Sequence, residues 1–139
     1  MLLTVLALLI GYLTLSISTA LLYSTWMSIA IVSGETQGIP AQSIAIAGIC
    51  GLGFATLSGY LVGLVARRAP VAHAAVFSLM LIVTWGLSTF LAESKEPLLI
   101  SILNIAIALV GAMTGGWIRS AQVKVAAKTA ADPPIEIPK

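Results

Sequence analysis

This sequence is poor in charge. Asp, Glu, Lys and Arg make up 9% of its 139 residues, whereas soluble globular chains carry about a quarter. Apolar residues account for 59%, and a mean hydropathy of +1.07 places the chain in lipid rather than in water. The formal net charge of +2 is therefore read as a topology signal, and no nucleic-acid partner is expected. Ionisable residues are missing from the middle of every apolar run, where proton relays and ion-coupled pumps need them. The chain also lacks a phosphate-binding loop, paired carboxylates, a Ser-His-Asp set, a metal-ligand cluster and a Cys-x-x-Cys. Neither catalysis nor a bound metal is expected. With one cysteine, Cys50, an internal disulfide is excluded, and that residue reads as a small packing group inside an apolar run.

The charge that is present marks the connections. Glu35 stands alone, Arg67 and Arg68 form a pair, Glu93, Lys95 and Glu96 cluster, and the rest begins at Arg119. Every run between these points is long enough to cross a bilayer, which takes roughly 20 apolar residues. The expected fold class is all-α: a polytopic membrane protein, a bundle of four transmembrane helices over about 2–32, 43–66, 70–92 and 97–119. A cytoplasmic tail over 121–139 follows, partly disordered because Pro133, Pro134 and Pro138 interrupt regular structure. Gly34, Gly38 and Pro40 mark the first loop. Pro70 and Pro97 suit the first turns of helices three and four, where a missing N–H costs nothing. The short link at Arg67 and Arg68 makes helices two and three an antiparallel hairpin. The first run, about 45 Å long as a helix against a hydrocarbon core of about 30 Å, must tilt or project. It has no basic n-region and is too long for the h-region of a signal peptide, so it reads as a retained helix.

Orientation follows from Lys and Arg. Arg67 and Arg68 in the second loop, and Arg119, Lys124, Lys128 and Lys139 towards the C-terminus, outweigh the lone Lys95 of the first and third loops. Both termini and the second loop are expected to face the cytoplasm, with Tyr23 and Trp26 near the outer interface and Trp117 near the inner one.

Ala47, Gly51, Ala55, Gly59 and Gly63 recur every four residues, so on a helix they form one smooth side. In lipid such a side lets a second backbone approach closely. A second stripe, Ser16, Ala20, Ser24 and Ser28 on helix one, is the expected partner, with another subunit as the alternative; each hydroxyl can instead bond the carbonyl one turn back. Gly59, Gly63 and Arg67 are echoed by Gly111, Gly115 and Arg119, both Gly-x-x-x-Gly-x-x-x-Arg. The echo fits either two hairpins related by an axis along the membrane normal or shared chemistry at two helix ends.

Few residues carry chemistry. His73, about one turn inside helix three, reads either as an axial ligand to a chlorophyll or haem or as an interfacial histidine bonded to a carbonyl or a lipid phosphate. The amide of Asn104 requires a partner in hydrocarbon and is expected to face another helix, as a packing group or a substrate contact. Arg67, Arg68, Arg119 and Lys124 form a cytoplasmic basic rim that sets topology, or docks an acidic partner or a lipid.

The stretch GYLVGLVARRAPVAHA, Gly59 to Ala74, with the Gly-Gly-aromatic-x-Arg run of Gly115 to Arg119, resembles a loosely defined group of uncharacterised bacterial four-helix inner-membrane proteins. The resemblance covers helices two to four and implies a fold and no activity. Location in a bacterial inner membrane, or an internal membrane derived from it, is the matching expectation. The reading is a non-catalytic structural or accessory subunit that packs through small-residue faces against itself or a larger membrane complex. The rivals are a small oligomeric transporter or channel, and a pigment-associated subunit using His73. No cofactor is expected outside that last reading; the expected partners are the bilayer and a membrane protein or a second copy.

Overall fold

The computed structural model of the chain describes residues 2–33, 41–66, 69–91 and 98–131, with the side chains of these apart from 26, 27, 29–33, 41–44, 89, 90 and 98–100. Arg67, Arg68, Glu35, the Glu93 to Glu96 cluster, Pro97, the side chain of Trp26 and the proline-containing tail lie outside the described residues. The described residues form four α-helices: α1 Leu2–Ser33, α2 Ala41–Ala66, α3 Pro70–Leu91 and α4 Leu98–Ala131.

Each helix contains a segment long and apolar enough to cross a membrane: Leu2–Thr25, Ala45–Ala66, Pro70–Ser88 and Ser101–Ala131. In lipid such a run has to be helical, because every backbone N–H and C=O must be paired within the segment. The outward faces are apolar. Leu2, Ile49, Leu79, Leu87, Val110 and Trp117 are all exposed, the reverse of a water-soluble bundle. Helix four, expected to reach about Arg119 or further, continues through the residues placed in the tail from 121 as far as Ala131. Ala121 to Ala131 is built of Ala, Gln, Lys, Val and one Thr with no Gly or Pro, so nothing in it stops a helix.

α2 is the central element and touches each of the other helices, while α1 and α4 do not meet among the described residues. α2 and α4 run parallel: Gly111 lies level with Ala55, Gly115 with Gly59, and Arg119 with Gly63. α1 runs parallel to α3, since Thr4 reaches His73 and Gly11 reaches Phe77. α3 is antiparallel to both α2 and α4, with Pro70 and Ala74 against Gly116. The echoed motifs thus lie side by side, with Gly59 against Ala112 and Gly115 against Thr56 to Tyr60. An axis along the membrane normal would match the α2–α3 contact with one between α4 and α1, and the described residues make no such contact.

The buried residues form one layer. They are Ala7, Gly11 and Leu15 of α1; Ala55, Ser58, Gly59, Val62 and Gly63 of α2; Ala74, Phe77, Ser78 and Leu81 of α3; and Ala108, Gly111, Ala112, Gly115 and Gly116 of α4. The sets share one slab about 12 Å deep, towards the α2–α3 link in α1, α2 and α3 and near the middle of the longer α4, which runs on past it to Ala131. Apart from Leu15, Val62, Phe77 and Leu81, every one is Gly, Ala or Ser. Close backbone approach, rather than interdigitated large side chains, fills this layer. The slab lies at the end that carries Arg119, called here the basic end.

Candidate functional site: the glycine seam and the basic end

The seam between α2 and α4 is made where neither helix has side chains in the way. A Cβ added at Gly59 would meet the backbone of Ala112, whose Cα and C lie 2.6 and 2.7 Å from it. One added at Gly115 would meet the Thr56 carbonyl oxygen and, at 2.5 Å, the Tyr60 nitrogen. At Gly111 it would meet Ala55 Cβ at 2.5 Å and Leu52 O at 3.0 Å. Such separations bring dispersion and Cα–H···O contacts that bulkier residues prevent. Further from the basic end the helices part. Gly51 and Gly48 meet only the side chain of Ile107, at 3.8 and 3.6 Å, and Ala47 and Cys50 are half-buried.

The stripe on α2 therefore faces α4, and the expectation that it faces the serine stripe of α1 is corrected. Ser16, Ala20, Ser24 and Ser28 are all exposed. The Ser24 hydroxyl donates to Leu21 O at 3.1 Å and that of Ser28 to Ser24 O at 2.9 Å, so their own helix satisfies them. α1 docks instead through Ala7, Gly11 and Leu15, roughly 100° round the helix from Ser16. Gly11 is the hole of that contact, since a Cβ there would strike Val62 and would lie 3.2 Å from the Phe77 ring. Phe77 is fully buried there. This contact escapes a search for long stripes, because the lone Gly11 belongs to none. Gly116, packed on Ala74, was likewise missed beside the more regular Gly111 and Gly115.

Asn104 requires a second correction. It lies on the side of α4 that meets α2 one turn further on, at Ala108 and Gly111, but it is exposed. The cause is the divergence of the two helices beyond Ile107, which leaves the amide in the gap with no partner among the described residues. The hydroxyls of Ser58 and Ser78 are buried and unpaired. By contrast, Thr14, Thr56 and Thr114 each donate to the carbonyl one turn back at 2.7–2.8 Å.

His73 is held at both ring nitrogens. Nδ1 lies 3.1 Å from Ala69 O and Nε2 3.4 Å from Thr4 Oγ1. A carbonyl only accepts, so the first contact assigns a proton to Nδ1, and in that tautomer Nε2 accepts from the threonine hydroxyl. The carbonyl bond matches one arm of the interfacial reading, and the Thr4 bond ties α1 to the start of α3. An axial ligand role would first have to break the Thr4 bond. Ala69 also accepts from His73 N at 3.2 Å and has φ 47, a left-handed alanine that turns the chain into Pro70. Among the described residues no group of His, Cys, Asp and Glu is placed to hold a metal ion.

At the basic end Arg119 lies across Gly63. Its Cβ and Cγ are each 3.3 Å from where a Gly63 Cβ would be, and Pro70 Cβ is 2.9 Å from the same point. Its Nη1 donates to Gln122 Oε1 at 3.4 Å, and the same oxygen accepts from the Tyr60 hydroxyl at 3.0 Å. Arg119 Nε is buried and has no partner. Lys124 is exposed and, two residues beyond Gln122, points away from this cluster. No family model matches the chain, and neither characterised proteins nor solved structures give a match.

Proposed function

We propose that the chain is an integral membrane protein acting as a non-catalytic structural or accessory subunit. The observation that carries this reading is the composition of the buried layer. Its α2–α4 seam is backbone against backbone at Gly59, Gly111 and Gly115, which leaves no room between those helices for a solute. Its polar content is the two hydroxyls of Ser58 and Ser78, which supply neither a base nor a charge. A rigid seam of this kind presents the outer faces of four helices in fixed register to lipid or to a partner. A bacterial inner membrane, or one derived from it, is the proposed location.

A second reading, a homo-oligomer with a solute path between copies, is favoured by Asn104. Its uncovered amide both donates and accepts, so a second copy of itself would satisfy it. Purification of the tagged chain in mild detergent separates the two. Elution within a larger complex containing another membrane protein supports the accessory reading. A homo-oligomer that conducts a solute when reconstituted overturns it in favour of the second. A coloured chromophore lost in His73→Leu would overturn both.

A further inference from the structure

We propose that Arg119, with Gln122 and Tyr60, forms a site for the phosphate group of an anionic phospholipid. The stem of Arg119 is drawn against α2 because Gly63 offers no side chain to keep it out. The guanidinium is thereby partly removed from solvent, with Nε buried and unpaired. Its recorded acceptor is Gln122 Oε1, at 3.4 Å a long bond, and that oxygen already accepts from Tyr60. The amide orientation is dictated by these two donors, since the flipped form would set an N–H against the arginine N–H. The amide nitrogen of Gln122 is thus left as a further donor.

Among the described residues the cluster therefore combines a fixed positive charge and surplus N–H donors with no anion. Every Asp and Glu of the chain lies outside the described residues: in sequence Glu35 falls between α1 and α2, Glu93 and Glu96 between α3 and α4, and Asp132 and Glu136 after Ala131, which is about 18 Å along α4 from Arg119. A partly desolvated cation without a counter-charge is unfavourable, and a planar guanidinium matches phosphate oxygens in pairs. Beside Gln122 one side of α4 is an exposed apolar face made by Trp117, Ile118, Ala121 and Val125. Donors next to an apolar wall, with an exposed tryptophan at the same level, suit an amphiphile better than a free ion.

This inference rests on the membrane reading but not on any partner, and the test keeps the two apart. The full chain is first reconstituted and floated with vesicles; failure to float would sink the membrane reading itself. Delipidated protein is then titrated with phosphatidylglycerol, phosphatidylcholine, inorganic phosphate or polyglutamate while its melting temperature is followed. Phosphatidylglycerol should raise the melting temperature most, and Arg119→Gln should bind it about tenfold more weakly. Arg119→Lys, which keeps stem and charge but loses the planar fork, should fall between, and serves as the variant that folds if Arg119→Gln does not. An undiminished shift in both variants, or no preference for phosphatidylglycerol, would overturn the site. Equal protection by inorganic phosphate would replace the lipid with a free ion, and protection by polyglutamate alone would replace it with an acidic protein.

Discussion

At Gly59 a methyl group would have to share space with the backbone of Ala112, whereas at Gly53 it would meet nothing within 4 Å. The two glycines lie on one helix fewer than two turns apart, so they form a matched pair with opposite expectations. Gly59→Leu must separate α2 from α4 and should cost about 1–3 kcal/mol in overpacking strain. Gly53→Ala should leave the melting temperature in detergent unchanged or slightly raised, since alanine is the better helix former. Similar melting temperatures for Gly59→Leu and Gly53→Ala would mean that α2 and α4 do not touch at this seam. The four-residue spacing singled out Gly59 and passed over Gly53, so at this scale the sequence was legible. Gly11 was not, because its contact depends on Phe77 and Val62, two large residues on other helices that no local spacing reveals.

Between elements, what could be read was which faces are smooth, and what could not was which faces meet. Four helices were legible because each apolar run is long enough to span a bilayer, and a run of that kind in lipid has to pair its backbone within itself. Partner choice is different, since smooth stripes on α1 and α4 are both chemically acceptable to α2. What distinguishes them is the polar content: the α1 stripe carries hydroxyls satisfied by their own helix, while Gly111 and Gly115 let the backbones close completely. Asn104 was misplaced for a related reason, since the divergence of α2 from α4 beyond Ile107 is a crossing geometry that neither sequence states alone. Cysteine pairs in a Cys50→Ala background test the assignment. Gly51→Cys with Ile107→Cys joins positions where a Cβ added at Gly51 would lie 3.8 Å from Ile107 Cγ2, and should form a cross-link within one chain on mild oxidation. Gly51→Cys with Ser16→Cys should not, and a cross-link there with none to Ile107→Cys would return the stripe to α1.

For the molecule as a whole, burial is unequal along the bundle axis. The slab of buried residues lies at the end where α2 leaves Ala66 and α3 enters Pro70, and the described residues of the other half are half-buried or exposed. Arg119 and the Arg67–Arg68 pair belong by sequence to the tightly packed end, so positive charge and close helix contacts fall at the same end. Positively charged connections are retained on the cytoplasmic side. The packed end should therefore face the cytoplasm and the splayed half the outside, with both termini inside, since α1 begins and α4 continues at the packed end. Single cysteines at Thr36 and Ser94, again in a Cys50→Ala background, should react with an impermeant thiol reagent added to intact cells. A cysteine at Thr129, on the part of α4 that continues past Arg119, should react only after the membrane is opened. Labelling of Thr129→Cys in intact cells with protection of Thr36→Cys would invert the molecule. It would also place Arg119 at the outer leaflet, where the phosphate site would meet a different set of lipids.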